Sequence, residues 1–280
     1  MRPKYRLLLP VLLSIALINT ATAQEKNPIK LPKPNAAISL DTPLFDQANA
    51  GEAVAQYRLG IIYDNGEGVP RDQAKAAAWY LKAAKQGHRG AQFNLGLMYE
   101  NGEGVLKDTI QAAAWYLKAA ELGDVSAQFN MGMRYHKGDG VPKDYVKAVG
   151  WFQQAAEHGH VFAQYNLGLN YRAGTGVPKN DTKAAEWYQK AAAQGDVYAQ
   201  TNLGSMYANG EGVDKDNVRG YAWSALAAAQ GVELAKENRG MMERRLTPKQ
   251  LAEGRRLVAN WKRGETMGSI IQASPLVVAP

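Results

Sequence analysis

Residues 55–90 read AQYRLGIIYDNGEGVPRDQAKAAAWYLKAAKQGHRG, and residues 91–126 read AQFNLGLMYENGEGVLKDTIQAAAWYLKAAELGDVS. The pattern returns three more times, and five tryptophans mark it at intervals of 36 residues: Trp79, Trp115, Trp151, Trp187 and Trp223. A unit of roughly 20 to 50 residues is too small to bury its own apolar face, so such units stack on their neighbours. The sequence therefore predicts one elongated repeat domain.

Each repeat carries the pattern of two short helices. Ala55, Leu59 and Tyr63 are spaced four residues apart, which places them on one stripe of a first helix. The glycine-rich segment 65–68 ends that helix, because glycine adopts the left-handed conformation at a helix C-terminus without steric cost. Asp72 is then predicted to cap a second, amphipathic helix.

One glycine recurs inside the first helix of every repeat, as Gly60, Gly96, Gly132, Gly168 and Gly204. A glycine inside a helix costs about 1 kcal/mol relative to alanine. Its presence at the same position five times predicts that a neighbouring helix leaves no room there for a methyl group.

These motifs resemble the Sel-1-like repeat, a 36-residue relative of the tetratricopeptide repeat. The shared elements are A-x-x-x-L-G-x-x-Y, then G-x-G-V, then K-A-x-x-W-Y-x-x-A-A and a closing glycine. They cover residues 55–234 as five repeats, with small departures such as Met131 for leucine and Phe152 for tyrosine. The resemblance implies an all-α fold, a right-handed α/α solenoid of 36-residue helix-turn-helix repeats.

The first residues have the composition of an export signal. Residues 1–23 combine a basic start, a short apolar stretch and the small residues Ala21 and Ala23 before Gln24. We expect a cleaved signal peptide, a periplasmic or secreted protein, and no stable membrane insertion after cleavage. The alternative is an uncleaved anchor, although the apolar run is shorter than the roughly 18 residues that a span needs.

The absence of cysteine has two consequences for an exported protein. It excludes a lipid-modified N-terminal cysteine, and it excludes stabilisation by disulfides. The protein must therefore be stable through packing alone.

Two segments precede the repeats. Residues 24–41 contain three prolines and few large apolar residues, which predicts an extended linker. Residues 42–54 are predicted to form an N-terminal capping segment, because Leu44 and Ala48 match Tyr80 and Ala84 one period later.

Two segments follow the repeats. Residues 235–263 are predicted to form C-terminal capping helices, with a capping box at 247–250 and a closing helix from Pro248 to about Lys262. The tail, residues 264–280, is predicted to be disordered. A partner-binding strand at 270–278 is the alternative for its apolar part.

The net charge of +7 is unevenly distributed. Removing residues 1–23 leaves 7 − 3 = +4, and nine Lys/Arg against four Asp/Glu from Ala235 onward give that end +5. Residues 24–234 therefore carry 4 − 5 = −1. The basic pairs at 244–245 and 255–256 could bind nucleic acid or anionic lipid, but export disfavours nucleic acid, and a solvated face is the simpler interpretation.

No motif of catalysis or of cofactor binding is present. The chain lacks G-x-S-x-G, H-E-x-x-H, a Walker loop and S-x-x-K, so we predict no catalytic residue and no cofactor. The recurring Gly-x-Gly pairs follow no strand, which favours a structural role over a phosphate loop. Two of the four histidines share the loop between repeats three and four, one ends a first helix and one lies in an earlier loop between repeats, so we expect solvated loop residues rather than converging metal ligands. They are His88, His136, His158 and His160.

The resemblance also implies a binding site, since tetratricopeptide proteins bind partners in a concave groove lined by their first helices. Three sets of residues carry over to that groove. They are the aromatic set Tyr57, Phe93, Phe129 and Tyr165, the apolar set Ile61, Leu97, Met133 and Leu169, and the polar set Asp64, Glu100, His136 and Arg172.

The three sets differ in how well they suit a binding role. The alternative for the aromatic set is packing between repeats, because repeated aromatic residues usually belong to the core. The polar set varies in charge, and we expect it to set specificity and to tolerate charge reversal without loss of stability.

Two classes of function remain open. The first is an exported scaffold or adaptor for protein–protein interaction that binds a peptide or helix and regulates an envelope or signalling complex. The alternative is an enzyme acting on the cell wall, such as a hydrolase, or a protein that binds saccharides or β-lactams. An envelope pulldown distinguishes them.

Overall fold

The computed structural model describes residues 42–268, and in that range it contains thirteen α-helices and no β-strand. The helices are α1 Thr42–Asn49, α2 Ala53–Asn65, α3 Gln73–Lys85, α4 Arg89–Asn101, α5 Thr109–Glu121, α6 Val125–Lys137, α7 Tyr145–Glu157, α8 Val161–Ala173, α9 Asp181–Ala193, α10 Val197–Asn209, α11 Asn217–Ala229, α12 Glu233–Glu243 and α13 Pro248–Asn260. The even-numbered helices α2 to α10 are the first helices of the five repeats, and α3 to α11 are the second helices. The predicted all-α class is confirmed.

The chain divides into two compact units, and the division falls inside α7 between Ala155 and Ala156. The described part of the first unit is 42–155, and that of the second is 156–268.

The turn inside each repeat follows the predicted chemistry. In repeat one, Asp72 caps α3 by accepting a hydrogen bond from the Lys75 backbone N–H at 2.9 Å. Gly66 ends α2 with φ of 71°, in the left-handed region, and its N–H donates to Ile62 O at 2.9 Å. Both predictions are confirmed.

The glycine inside each first helix lies against an aromatic ring of the second helix in four of the five repeats. A methyl group on Gly168 would be 2.5 Å from ring carbons of Tyr188, and one on Gly96 would be 2.8 Å from Tyr116. Carbon atoms do not approach so closely, so the helices pack at a distance that only glycine permits. The predicted exclusion of a methyl group is confirmed.

Helix α1 makes the contacts of half a repeat in the first unit. Phe45 meets Trp79 edge to face with ring centroids 5.9 Å apart, and Ala48 is buried against Leu59. Gln56 Nε2 donates to Ala48 O at 3.1 Å, as its counterparts do in later repeats. That α1 caps the array remains a prediction.

Helices α12 and α13 complete the second unit. The capping box of α13 is present, since Thr247 Oγ1 accepts from Gln250 N at 3.3 Å and Gln250 Oε1 accepts from Thr247 N at 3.0 Å. Trp261 meets Trp223 edge to face at 6.2 Å. The closing helix ends at Asn260, close to the predicted end.

Helix α12 repeats the first-helix pattern a sixth time, which we did not predict. Ala235, Asn238 and Gly240 follow Ala199, Asn202 and Gly204 at the 36-residue interval. Ala235 and Asn238 are fully buried, and Asn238 Nδ2 donates to Ser205 Oγ at 3.0 Å.

The tail departs from its prediction at its start. Gly264 N donates to Ala193 O at 2.6 Å, Trp261 Nε1 donates to Glu265 O at 2.9 Å, and Met267 is buried. The predicted disorder is therefore wrong for residues 264–268, because the indole N–H and the methionine side chain bind this segment to the second unit. The rest of the tail lies outside the described residues, with the predicted strand at 270–278.

The predicted signal peptide and linker, residues 1–41, also lie outside the described range. From residue 42 to 268, no helix combines the length and the apolarity that crossing a membrane requires.

Candidate partner-binding surface

Two members of the aromatic set are buried in the core. Phe129 is 6% exposed, and its ring centroid is 5.9 Å from that of Phe152 in the second helix of the same repeat. Tyr165 is 8% exposed and lies 5.9 Å from Tyr188 of its own repeat and 6.1 Å from Tyr198 in α10. Phe129 therefore packs within its repeat, only Tyr165 also contacts the next first helix, and neither offers a partner much surface.

Tyr57 and Phe93 are half-buried members of the same set. Tyr57 stacks on His88 with centroids 4.2 Å apart, and a methyl group on Gly90 would lie 3.1 Å from its hydroxyl. Burial, with the negative charge of Asp124, raises the pKa of Tyr57. The ring therefore contacts the first helix of the next repeat and remains partly exposed to solvent.

The apolar set is also half-buried throughout: Ile61, Leu97, Met133 and Leu169. Ile61 packs on the core that contains Tyr80 and Leu95, and Leu97 packs on the core that contains Met131. These side chains fill the space between successive repeats and leave part of their apolar surface uncovered.

Glu100, of the polar set, is engaged in an ion pair between repeats two and three. Its Oε1 lies 3.2 Å from Arg134 Nη2, and its Oε2 accepts from the Tyr116 hydroxyl at 2.7 Å. The Arg134 side chain is only 4% exposed, lies over the ring of Tyr116, and also pairs with Asp139 at 3.2 Å. Burial and the nearby Glu100 carboxylate raise the pKa of Tyr116.

Arg172 makes the corresponding link between repeats four and five. Its Nη2 lies 3.0 Å from Glu211 Oε2, and its side chain is 16% exposed. The expectation that the polar set tolerates charge reversal is therefore corrected for Glu100 and Arg172. Reversing either charge would place like charges together at a partly buried contact.

Asp64 and His136 complete the polar set. Asp64 lies 3.6 Å from Arg71 of its own repeat, and its side chain is 28% exposed. His136 meets Tyr145 edge to face at 5.0 Å, and burial lowers its pKa. A binding role for the twelve predicted residues stays a prediction.

A set that sequence reasoning missed lies one residue before the first-helix alanine. Two of its members are prominently exposed, Val54 at 55% and Tyr198 at 43%. The set differs in every repeat: Val54, Gly90, Ser126, Phe162 and Tyr198. The sequence already contained this signal, because the position varies in every repeat while the alanine and glutamine that follow it are constant. We call the exposed and half-buried residues of the first helices of each unit its first-helix surface; α2, α4 and α6 belong to the first unit, and α8 and α10 to the second.

Two histidines have structural roles that correct their prediction as solvated loop residues. His88 Nδ1 accepts from Ala91 N at 3.2 Å, and His160 Nδ1 accepts from Ala163 N at 3.3 Å, so each caps a first helix. Asp196 occupies the equivalent position one repeat later and caps its first helix by accepting from Ala199 N. Burial lowers the pKa of His160 to about 4, which keeps the imidazole neutral and able to accept.

A buried glutamine follows the first-helix alanine in all five repeats, at positions 56, 92, 128, 164 and 200. Each donates from Nε2 to the carbonyl eight residues earlier, at 3.1 to 3.3 Å. The bond ties each first helix to the end of the preceding helix. Because buried amides must be paired, it also explains a polar residue in the core.

Metal binding finds no support in the described range. Between residues 42 and 268, no three or more His, Asp or Glu residues converge as metal ligands would, and the sequence has no cysteine.

The comparison with protein families gives one assignment. The family described as Sel1 repeat matches five consecutive segments of the sequence, 53–88, 90–124, 125–160, 161–196 and 197–232. These segments are the five repeats predicted from the sequence, each beginning one or two residues earlier, and the α/α solenoid class is thereby confirmed. No curated protein matches the chain.

Two solved structures are similar over most of the chain. A protective antigen of uropathogenic Escherichia coli, which displays an SLR fold, is 37% identical with a TM-score of 0.68. The match covers 85% of this chain and 51% of the antigen, so the chain spans about half of that protein. A Sel1 repeat protein from Oxalobacter formigenes is 40% identical with a TM-score of 0.64, covering 71% of this chain and 80% of that one.

Proposed function

Because this chain belongs to the Sel1 repeat family, we propose that it is a scaffold or adaptor that binds a protein partner on its first-helix surface. The partner presents an extended peptide or a helix, since both are recognised by surfaces built from helices. The five repeats supply the frame, and the residues that change between repeats supply recognition.

The observation that carries this proposal is the contrast between a constant core and a variable surface. Core positions such as Gln92 and Gly96 recur with the same residue in each repeat. The set that begins with Val54 and ends with Tyr198 has a different residue in each repeat. Stacking of repeats requires no variation at this position. Recognition of one particular partner, in contrast, requires a different side chain at each contact.

Exposure supports the same surface. Val54 and Tyr198 are apolar or aromatic residues with 55% and 43% of their surface in solvent. Aromatic and apolar anchors supply most of the binding free energy at protein interfaces. In the first unit, the half-buried residues Tyr57, Phe93 and Leu97 of the first helices add apolar surface to that of Val54.

We also propose that the protein acts in the periplasm or after secretion, where it regulates an envelope or signalling complex. The composition of residues 1–23 supports export. Without cysteine, the stability of the exported protein would depend on helix packing.

The test is capture of partners from an envelope fraction by the tagged protein. Val54→Glu and Tyr198→Glu should each reduce capture at least tenfold, because a charge replaces an apolar anchor. Leu106→Glu is the matched control, since Leu106 is 91% exposed but precedes a second helix. Equal loss in all three variants would contradict the first-helix surface, and retention by purified peptidoglycan alone would favour a cell-wall-acting or saccharide-binding protein.

A further inference from the structure

A second glutamine, near the end of repeat one, satisfies two acceptors at once. Gln86 Nε2 donates to Gly51 O and to Gln56 Oε1, both at 2.8 Å. Gln194 makes the corresponding two bonds in repeat four, at 3.1 and 2.8 Å. One carboxamide thus pairs a loop carbonyl and the buried glutamine of the same repeat.

Repeat two lacks this carboxamide, because Leu122 occupies its position. The corresponding acceptors are Gly87 O and Gln92 Oε1, and a leucine side chain has no N–H to donate to them. Gln92 is 5% exposed, and its Nε2 donates to Ala84 O at 3.2 Å, while its Oε1 is buried without a hydrogen-bond partner. An unpaired buried acceptor destabilises the fold, so a donor that reaches it is bound favourably.

A cavity of about 460 Å³ lies at this position, lined by residues 87–90, Leu122 and Asp124. Gly87 and Leu122 both border it, and they are the equivalents of Gly51 and Gln86, so the 36-residue register places the missing carboxamide beside the cavity. Gln92 is not among the lining residues, and Leu122 holds the position from which a carboxamide would reach its Oε1. Leu122 is 50% exposed, so its side chain can turn outward without leaving a core. Arg89 also lines the cavity, with its Nε 3.9 Å from Asp124 Oδ2, and supplies guanidinium donors to its rim.

We propose that this cavity binds a carboxamide, the side chain of a glutamine or asparagine carried by the protein partner. Its NH₂ group donates to Gly87 O and Gln92 Oε1 as Leu122 turns aside, and its carbonyl accepts from Arg89. The proposal rests on the proposed function, since the partner supplies the group.

Other polar groups fit the cavity less well. A carboxylate has no N–H for the two acceptors and would lie near the carboxylate of Asp124. An ammonium has the donors but would lie beside the guanidinium of Arg89. A neutral group that both donates and accepts matches the cavity without an unbalanced charge.

The experiment uses the isotope-labelled protein and a small probe, acetyl-glutamine methylamide, followed by NMR. At millimolar probe we expect shifts of the Gln92 side-chain NH₂ and of the backbone amides of residues 87–90. Acetyl-glutamate methylamide and acetyl-norvaline methylamide, which lack the NH₂ group, should produce shifts at least fivefold smaller.

Two substitutions of one residue separate filling of the cavity from loss of its wall. Leu122→Gln supplies the carboxamide from within the chain, so the response to the probe should disappear. Leu122→Ala opens the cavity and should keep the response. Equal responses to the glutamine and glutamate probes, or a response undiminished in Leu122→Gln, would overturn the proposal.

The outcome is distinguishable from that of the capture experiment, because the probe needs no partner. A crystal structure with an ordered water on Gln92 Oε1, together with no response to the probe, would identify water as the donor and reject the carboxamide site. Full capture of a partner by Leu122→Gln would likewise reject the site while leaving the scaffold function intact.

Discussion

A methyl group added at Gly132 would lie 2.5 Å from the ring of Phe152, well inside the contact distance of two carbon atoms. Gly132→Ala should therefore destabilise the first unit by about 1 to 3 kcal/mol, and Gly132→Val by more, because ring and helix must move apart. Chemical denaturation followed by circular dichroism measures the loss.

Gly150 provides the control for that substitution. It lies in α7, is exposed, and would bring a methyl group within 4 Å of nothing. Gly150→Ala should stabilise by up to about 1 kcal/mol through helix propensity alone. Similar changes for both alanine variants would contradict the close-packing argument.

The missing carboxamide of repeat two has a consequence for stability. Leu122→Gln should stabilise the first unit by about 1 kcal/mol, because it pairs Gln92 Oε1, and Leu122 is too exposed to contribute much by burial. Gln86→Leu removes the same pair from repeat one and should destabilise by about 1 to 2 kcal/mol. Urea denaturation of both variants tests the pair, and changes of equal sign would refute it.

The cap at His160 makes the second unit sensitive to acid. Its pKa of about 4 lies below the ordinary value of 6.5, so the unfolded chain binds more protons between these values. This contribution to stability is complete above about pH 6.5 and declines as the pH falls towards 4. His160→Asn keeps a cap that does not titrate. Between pH 7 and pH 4.5 the parent should lose about 2 kcal/mol more than this variant.

Asp196, in the same unit, should have the opposite dependence. Burial raises the pKa of its carboxyl to about 6, so the folded state holds a proton that the unfolded chain releases. Stability from this group is present at low pH and declines as the pH rises from about 4 to 6. Asp196→Asn should therefore lose less stability than the parent over that rise. Identical pH profiles for the parent and both asparagine variants would show that neither cap titrates as described.

The buried Arg134 allows a test of the ion pair between repeats two and three. Methionine occupies its position in repeats two and five, at Met98 and Met206. Arg134→Met should be neutral or stabilise by about 1 kcal/mol, because burying a guanidinium costs about as much as its pairs return. Glu100→Ala should cost about 2 kcal/mol, because it removes a partner from both Arg134 and the Tyr116 hydroxyl. A larger loss for Arg134→Met than for Glu100→Ala in thermal melts would reverse this account.

Signal cleavage is tested directly by N-terminal sequencing of the exported protein. We expect the mature chain to begin at Gln24, because Ala21 and Ala23 are the small residues that signal peptidases require. A chain that still begins at Met1 would identify the segment as an anchor.

Features that recur in register could be predicted from the sequence. The glycine at 60 and its four equivalents indicated a close contact with a neighbouring helix. The structure identifies the contacting group as an aromatic ring in four repeats, for example Tyr188 against Gly168. The capping box at 247–250 could be read directly, because its bonds join residues three apart.

Features that depend on distant partners could not be predicted in the same way. Glu100 resembles a surface residue until Arg134, 34 positions later, is placed beside it. His160 is not a usual cap, and only its equivalence to Asp196 indicates one. Capping helices were predicted over 235–263, but the sixth copy of the first-helix pattern in α12 was missed because Lys236 and Arg239 replace the glutamine and leucine of the motif.

The bonds between Gln86, Gln56 and Gly51 have a consequence for how such a chain changes length. The donor and both acceptors lie within 36 residues, and Gln56 reaches back only to Ala48. Duplicating or deleting a segment of one whole period therefore keeps the donor and acceptor positions in register at the new junction, and the pairs form again wherever a glutamine occupies the donor position. An insertion of any other length would leave a buried amide without its hydrogen-bond partner. Copy number can thus vary in whole repeats during evolution, which adds or removes recognition surface without redesign of the core.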